Sequence, residues 1–93
     1  MLMNDKMLIV VSLPATLRDY EFLMPLDLTV EEGAQLVARI LAARESARYE
    51  MSPDVDFMRL DGDTVGVVVN PKETFRNLYL DHVLVNGSRL MLV

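Results

Sequence analysis

Asn86-Gly87-Ser88-Arg89-Leu90-Met91-Leu92-Val93 is the stretch on which the fold turns. Asn-Gly is a turn dipeptide, because Gly takes positive φ without steric cost. An apolar strand follows, and the sequence stops inside it. Such a strand is expected to be tied into a sheet, since apolar surface left in water forgoes about 25 cal/mol per Å². The other end of the chain offers a partner. Lys6 to Leu13 (KMLIVVSL) is apolar on both faces and rich in β-branched residues, which suits the middle of a sheet. If these first and last strands pair, they run parallel.

The segments between them fit that frame. Pro14-Ala15-Thr16 breaks the first strand. Arg18 to Leu26 alternates, with Tyr20, Phe22 and Met24 on one face, so a half-buried strand with its aromatic face inward is expected. Pro25 suits a strand margin. Thr29-Val30-Glu31-Glu32 has the Thr-x-x-Glu spacing of a capping box and places a helix start at Thr29. Val30, Ala34, Val37 and Leu41 then fall on one stripe, widened by Leu36 and Ile40. Glu31 and Glu32 sit at the positive helix end and Arg44 and Arg48 near the negative end. Arg44 lies near the stripe, its stem expected to snorkel past the core. Ser52-Pro53-Asp54 is read as the close of the helical region. Asp56 to Leu60 reads as a short strand, Asp61-Gly62-Asp63 as a turn, and Val65 to Val69 as a further strand ended by Asn70-Pro71. A helical turn is expected around Leu78 to His82. A hairpin, one long helix and a returning terminal strand make an α+β chain in the β-grasp arrangement, a mixed four- to five-stranded sheet packed on one helix. Residues 1–6 are expected to be a flexible N-terminus and 7–93 one domain.

Composition narrows the function classes. Ninety-three residues make one modest core, burying roughly 60–65% of the unfolded surface. The hydrophobic fraction of 52% is high for that size, so some apolar surface should remain exposed or meet a partner. The net charge of −5 and the absence of a basic stripe argue against nucleic acid and against an anionic membrane surface. Without cysteine, disulfides, thiol catalysis and zinc ribbons are excluded. No segment approaches the roughly 20 apolar residues of a membrane span. Met1 to Lys6 is too short and too acidic for a signal-peptide n-region. A soluble, cytoplasmic protein is expected.

Over nearly all of residues 7–93 the spacing resembles the ubiquitin superfamily. Thr29-Val30-Glu31 looks like the ubiquitin helix cap. Leu80-Asp81 with Leu84, then Gly87 and Leu90-Met91-Leu92, looks like the turn into its last strand. More narrowly, Asn86 to Val93 looks like the ending of the small YukD/EsaB-like proteins, ubiquitin-like accessory components of bacterial type VII secretion. That resemblance implies a β-grasp protein that is not conjugated, and it carries no catalytic residues. A sulfur carrier or modifier would need a mobile terminal Gly-Gly, which the sequence lacks.

The residues offer little chemistry. His82 follows Asp81, but no further group has strand or helix spacing to it, so a surface histidine in a turn is expected. Asp54, Asp56, Asp61 and Asp63 with Gly62 do not meet the calcium-loop pattern, which needs a bidentate Glu at its end. Ser12 and Ser88 lack a nucleophile elbow. Gly62, Gly66 and Gly87 make no phosphate loop. No cofactor, metal or catalytic site is expected. The seven methionines suit either core filling, as expected of Met24, or an adaptable contact surface. If Leu90 and Leu92 face the helix, alternation puts Met91 and Val93 on the open side of the sheet, with Met58 or Arg59 beside them. Met58, Arg59, Met91 and Val93 are therefore the expected partner-binding residues. By resemblance the partner is a membrane component of the secretion machinery, with self-association through this face or an edge strand left open. The alternative is a non-catalytic β-grasp subunit of a multicomponent enzyme such as an oxygenase.

Overall fold

A computed structural model describes residues 5–50, 52 and 54–93. Every second residue of the first strand, β1 (Lys6–Leu13), is buried: Met7, Ile9, Val11 and Leu13 form the floor of the core. β2 (Arg18–Pro25) returns antiparallel to it with Tyr20 and Met24 buried and Phe22 packed at the margin. β3 (Phe57–Arg59) and β4 (Ser88–Leu92) complete a four-stranded sheet in the order β2-β1-β4-β3. β1 and β4 run parallel, with Val11 opposite Leu90, as the two apolar ends of the chain imply. Pairing already reaches Asp5, whose carbonyl accepts from Leu26 N–H at 2.7 Å. Residues 1–4 of the expected flexible N-terminus lie outside the described residues.

One long helix, α1 (Val30–Arg44), covers the buried face. Its capping box is complete: Glu32 N–H donates to Thr29 Oγ1 at 3.1 Å, and Thr29 N–H donates to Glu32 Oε1 at 2.9 Å. Val30, Ala34, Val37 and Leu41 are buried as the stripe predicts. The stripe widens on the other flank, however, through Gly33 and Ala38, whereas Ile40 is 40% exposed and Leu36 half-buried. The reason is a second, short helix, α2 (Phe75–Leu80), one turn earlier than expected. The ring of Phe75 presses on Gly33: a Cβ there would stand 2.5 Å from Phe75 Cε2. Small residues admit that approach where Leu36 or Ile40 would not. Phe75 in turn meets Phe57 edge-on, with ring centroids 6.4 Å apart. The two helix starts are laced by Val30 N–H to Glu73 O at 2.8 Å and Phe75 N–H to Leu28 O at 3.1 Å.

α1 ends at Arg44, well before Ser52-Pro53-Asp54. Glu45 caps it and sends its carboxylate sideways, accepting from Tyr20 OH at 2.9 Å and pairing with Arg18 at 3.6 Å. Arg44 is exposed and its guanidinium lies over the Tyr20 ring, 5.6 Å from the centroid. Val65 to Val69 does not form the further strand. A 3-10 turn (Gly62–Thr64) precedes it, and Gly66 at φ +84° bends the chain back. Only Met58 and Val68 form a bridge, and Val65, Val67 and Val68 are exposed while Val69 alone is buried. The apolar run reads as doubly buried, but it lies against an edge with no element beyond it among the described residues. Among the described residues no helix is long and apolar enough to cross a membrane.

Candidate functional site

Because α1 covers one face of the sheet, the other face is left open. The registers fix what stands on it. Met58 faces Met91 across β3 and β4, Met91 faces Ser12 across β4 and β1, and Ser12 faces Asp19 across β1 and β2. Val68 extends the row beyond Met58 through its single bridge. The result is one line across the sheet: Asp19, Ser12, Met91, Met58, Val68. Met91 and Met58 are half-buried, while Leu90, Leu92 and Phe57 between them face the core. Val93 follows Met91 on the same side, 48% exposed, with its backbone doubly bonded to Asp56 at 3.0 Å.

Arg59 does not join this face. It stands opposite Leu90 on the inner side of the sheet and is only 8% exposed. Its guanidinium lies 3.8 Å from Asp61 and so close over Gly62 that a Cβ there would meet Nη2 at 2.4 Å. The charge of Arg59 makes a surface site the natural expectation. Phe57 must be buried, and alternation puts Arg59, two residues on, on the same inner side instead.

The sequence reading missed Leu17. It is 92% exposed and held at φ 55°, the left-handed region that a leucine rarely takes. The turn that holds it is firmly pinned. Thr16 is buried, with its hydroxyl 3.0 Å from Tyr20 OH, and Tyr20 OH donates onward to Glu45. Leu17 N–H donates to Leu13 O at 3.1 Å. The β1–β2 turn is thereby tied to the C-terminal end of α1, and Leu17 is presented rather than loose. A cavity of about 310 Å³ lies between Leu17, Leu13, Pro14 and Met91, with Ser12 and Asp19 at its rim. The one signal available in the sequence was a four-residue connection, Pro14 to Leu17, with neither Gly nor Asn to take a positive φ.

The polar end of the row is an ion-pair cluster. Ser12 donates to one oxygen of Asp19, and Arg89 Nη2 donates to the other at 2.7 Å. The Ser12 hydroxyl and then Arg89 hold the Asp19 carboxyl below its usual value of 3.8. Asp19 is thus a fixed anion and Ser12 a donor to it, which suits positioning and not general-base chemistry.

Ser88, His82 and Asp61 share the walls of a second cavity, about 280 Å³. They are not wired as a relay. The Ser88 oxygen accepts from Val85 N–H at 2.9 Å, and Asp61 accepts from Arg89 N–H at 3.0 Å. His82 is exposed, at φ 58°, in the turn after α2.

No family model matches the sequence, and no curated protein matches it. Solved structures do match. The fold is that of ubiquitin-like domains. The ubiquitin-like domain of the Mycobacterium tuberculosis type VII secretion system protein ECCD1 is similar at a TM-score of 0.66 and 13% identity, over 95% of this chain and 97% of that one. Caldiarchaeum subterraneum ubiquitin is similar at 0.58 and 17% identity, over 94% and 90%. An Arabidopsis thaliana ubiquitin-like domain is similar at 0.60 and 10% identity, over 96% and 77%. At these identities the likeness establishes the ubiquitin-like β-grasp fold.

Proposed function

We propose that this chain is a ubiquitin-like interaction module, not an enzyme, and that it serves a type VII secretion apparatus by docking on a protein component at the cytoplasmic side of the membrane. The observation that carries the reading is the methionine row of the open face. Met58 and Met91 lie directly opposite each other, with Val68 and Val93 beside them and Leu17 projecting at the end of the sheet. Flexible, polarisable side chains next to a fixed apolar anchor fit a protein partner. The resemblance of Asn86 to Val93 to YukD/EsaB-like proteins and the similarity to the ECCD1 domain support the choice of apparatus.

Affinity capture from native cells with wild-type and Met91→Asp protein tests this. A charge placed in the centre of the contact should weaken binding by about 1–3 kcal/mol, roughly 5- to 150-fold, while the circular dichroism spectrum stays unchanged. Secretion components recovered by wild type and lost by the variant would support the reading. Equal recovery by a folded Met91→Asp protein would remove this face from it. Recovery of oxygenase subunits in place of secretion components would favour the enzyme-subunit alternative.

A further inference from the structure

The two margins of the sheet are treated differently. At β3, Arg59 N–H donates to Val67 O at 2.9 Å and Val69 N–H donates to Phe57 O at 2.8 Å, so the 66–69 segment closes that edge. β2 forms the other margin and is eight residues long. Which of its amides face outward follows from one bond. Leu26 N–H donates to Asp5 O, continuing the β1–β2 register. Amides alternate sides along an extended strand, so Met24, Phe22, Tyr20 and Arg18 turn toward β1, and Leu23, Glu21 and Asp19 turn away. Pro25 falls in the outward set, where its missing N–H costs the sheet nothing. Asp19, Glu21 and Leu23 therefore each present a backbone donor and acceptor at the edge, and all three side chains are exposed.

We propose that the β2 edge takes up an extended strand of a partner protein that carries Lys or Arg opposite Glu21 and an apolar residue opposite Leu23. The backbone groups supply the pairing and the side chains select the occupant. Glu21 makes no ion pair among the described residues, whereas Asp19, two positions away, is already paired with Arg89. A cation and an apolar residue two positions apart on the partner strand complement Glu21 and Leu23, which share one parity. A second copy of β2 does not. In a two-fold antiparallel pairing outward residues meet outward residues, so Glu21 never meets a cation: Arg18 is in the inward set. The same Glu21 that guards the edge against self-assembly thus favours a basic strand. Glu21 and Leu23 lie off the methionine row, so the two readings fail separately.

The test is amide exchange by NMR on the full chain, with two capped peptides as long as β2 and Thr at every second position; at the positions between, Lys alternates with Val in one and Glu alternates with Val in the other. The Lys–Val peptide should slow exchange at the Glu21 and Leu23 amides about tenfold or more. The Glu–Val peptide should not, and Glu21→Lys should abolish or invert the preference. Met91→Asp should leave the response unchanged. Shift changes without slowing at Glu21 and Leu23, or equal slowing by both peptides, would overturn the proposal. So would loss of the response in Met91→Asp, which would place the peptide on the open face. Slowing that grows with protein concentration in the absence of peptide would give the edge to a second copy and also overturn it.

Discussion

Replacing Gly33 with alanine sets two effects of known sign against each other. Gly33 lies inside α1, where alanine is intrinsically better by about 1 kcal/mol. On propensity alone Gly33→Ala should stabilise. The new Cβ, however, would stand 2.5 Å from Phe75 Cε2, 2.9 Å from Phe75 Cζ and 3.1 Å from Met24 Sδ. Carbon atoms prefer about 3.5–4.0 Å, so the ring must retreat by roughly 1 Å. Phe75 is fully buried and backed edge-on by Phe57, so it has little room to do so. Overpacking of this kind costs about 1–3 kcal/mol. The expected net effect is a loss of up to about 2 kcal/mol, read as a lower urea midpoint at unchanged slope. Phe75→Leu made together with Gly33→Ala should recover part of that loss relative to the sum of the two single changes. A Gly33→Ala protein stabilised by about 1 kcal/mol would refute the reasoning, because it would mean that the Phe75 contact yields freely and does not account for the glycine.

Other substitutions probe the caps, the turn and the ion pair. Thr29→Ala removes the hydroxyl that accepts from Glu32 N–H, leaves the residue 29 N–H bonded to Glu32, and should cost about 0.5–2 kcal/mol in chemical denaturation. Leu17→Gly relieves a left-handed leucine that packs little of its side chain, so it should leave stability equal or raise it by up to about 1 kcal/mol while weakening partner capture. Tyr20→Phe takes away the hydroxyl shared by Thr16 and Glu45 and should cost about 1 kcal/mol, with faster exchange in the β1–β2 turn. For Asp19 the folded pKa lies below the unfolded one, so its contribution is complete above the unfolded value, near 3.8, and disappears as pH falls through the folded value. A carboxyl-detected NMR titration should place its midpoint below 3.8, and Arg89→Gln should move that midpoint upward.

Those elements whose cause is local were legible in the chain. The capping box from Thr29 to Glu32 needs four consecutive residues, and the alternation of Arg18 to Met24 needs only a pleat. The doubly apolar first strand and the Asn86-Gly87 turn likewise announce a central strand and a terminal one, and their parallel pairing follows. The placement of Met91 on the open face also follows, from the parity of Leu90 and Leu92. What the chain could not disclose depends on neighbours remote in sequence. Val65 to Val69 has the composition of a strand, yet among the described residues it meets only the three-residue margin of β3, with no layer beyond it to bury its outer side. Gly33 looks like a flaw in the helix until Phe75, 42 positions on, is seen to occupy the space. Arg59 looks like a surface charge until the need to bury Phe57 turns its strand. Leu17 looks like an ordinary turn residue until Thr16, Tyr20 and Glu45 lock its backbone. Period and capping act over a few residues and are written into the sequence. Edges, close approaches and strained turns are decided where distant segments compete for the same space, and only the tertiary structure settles that competition.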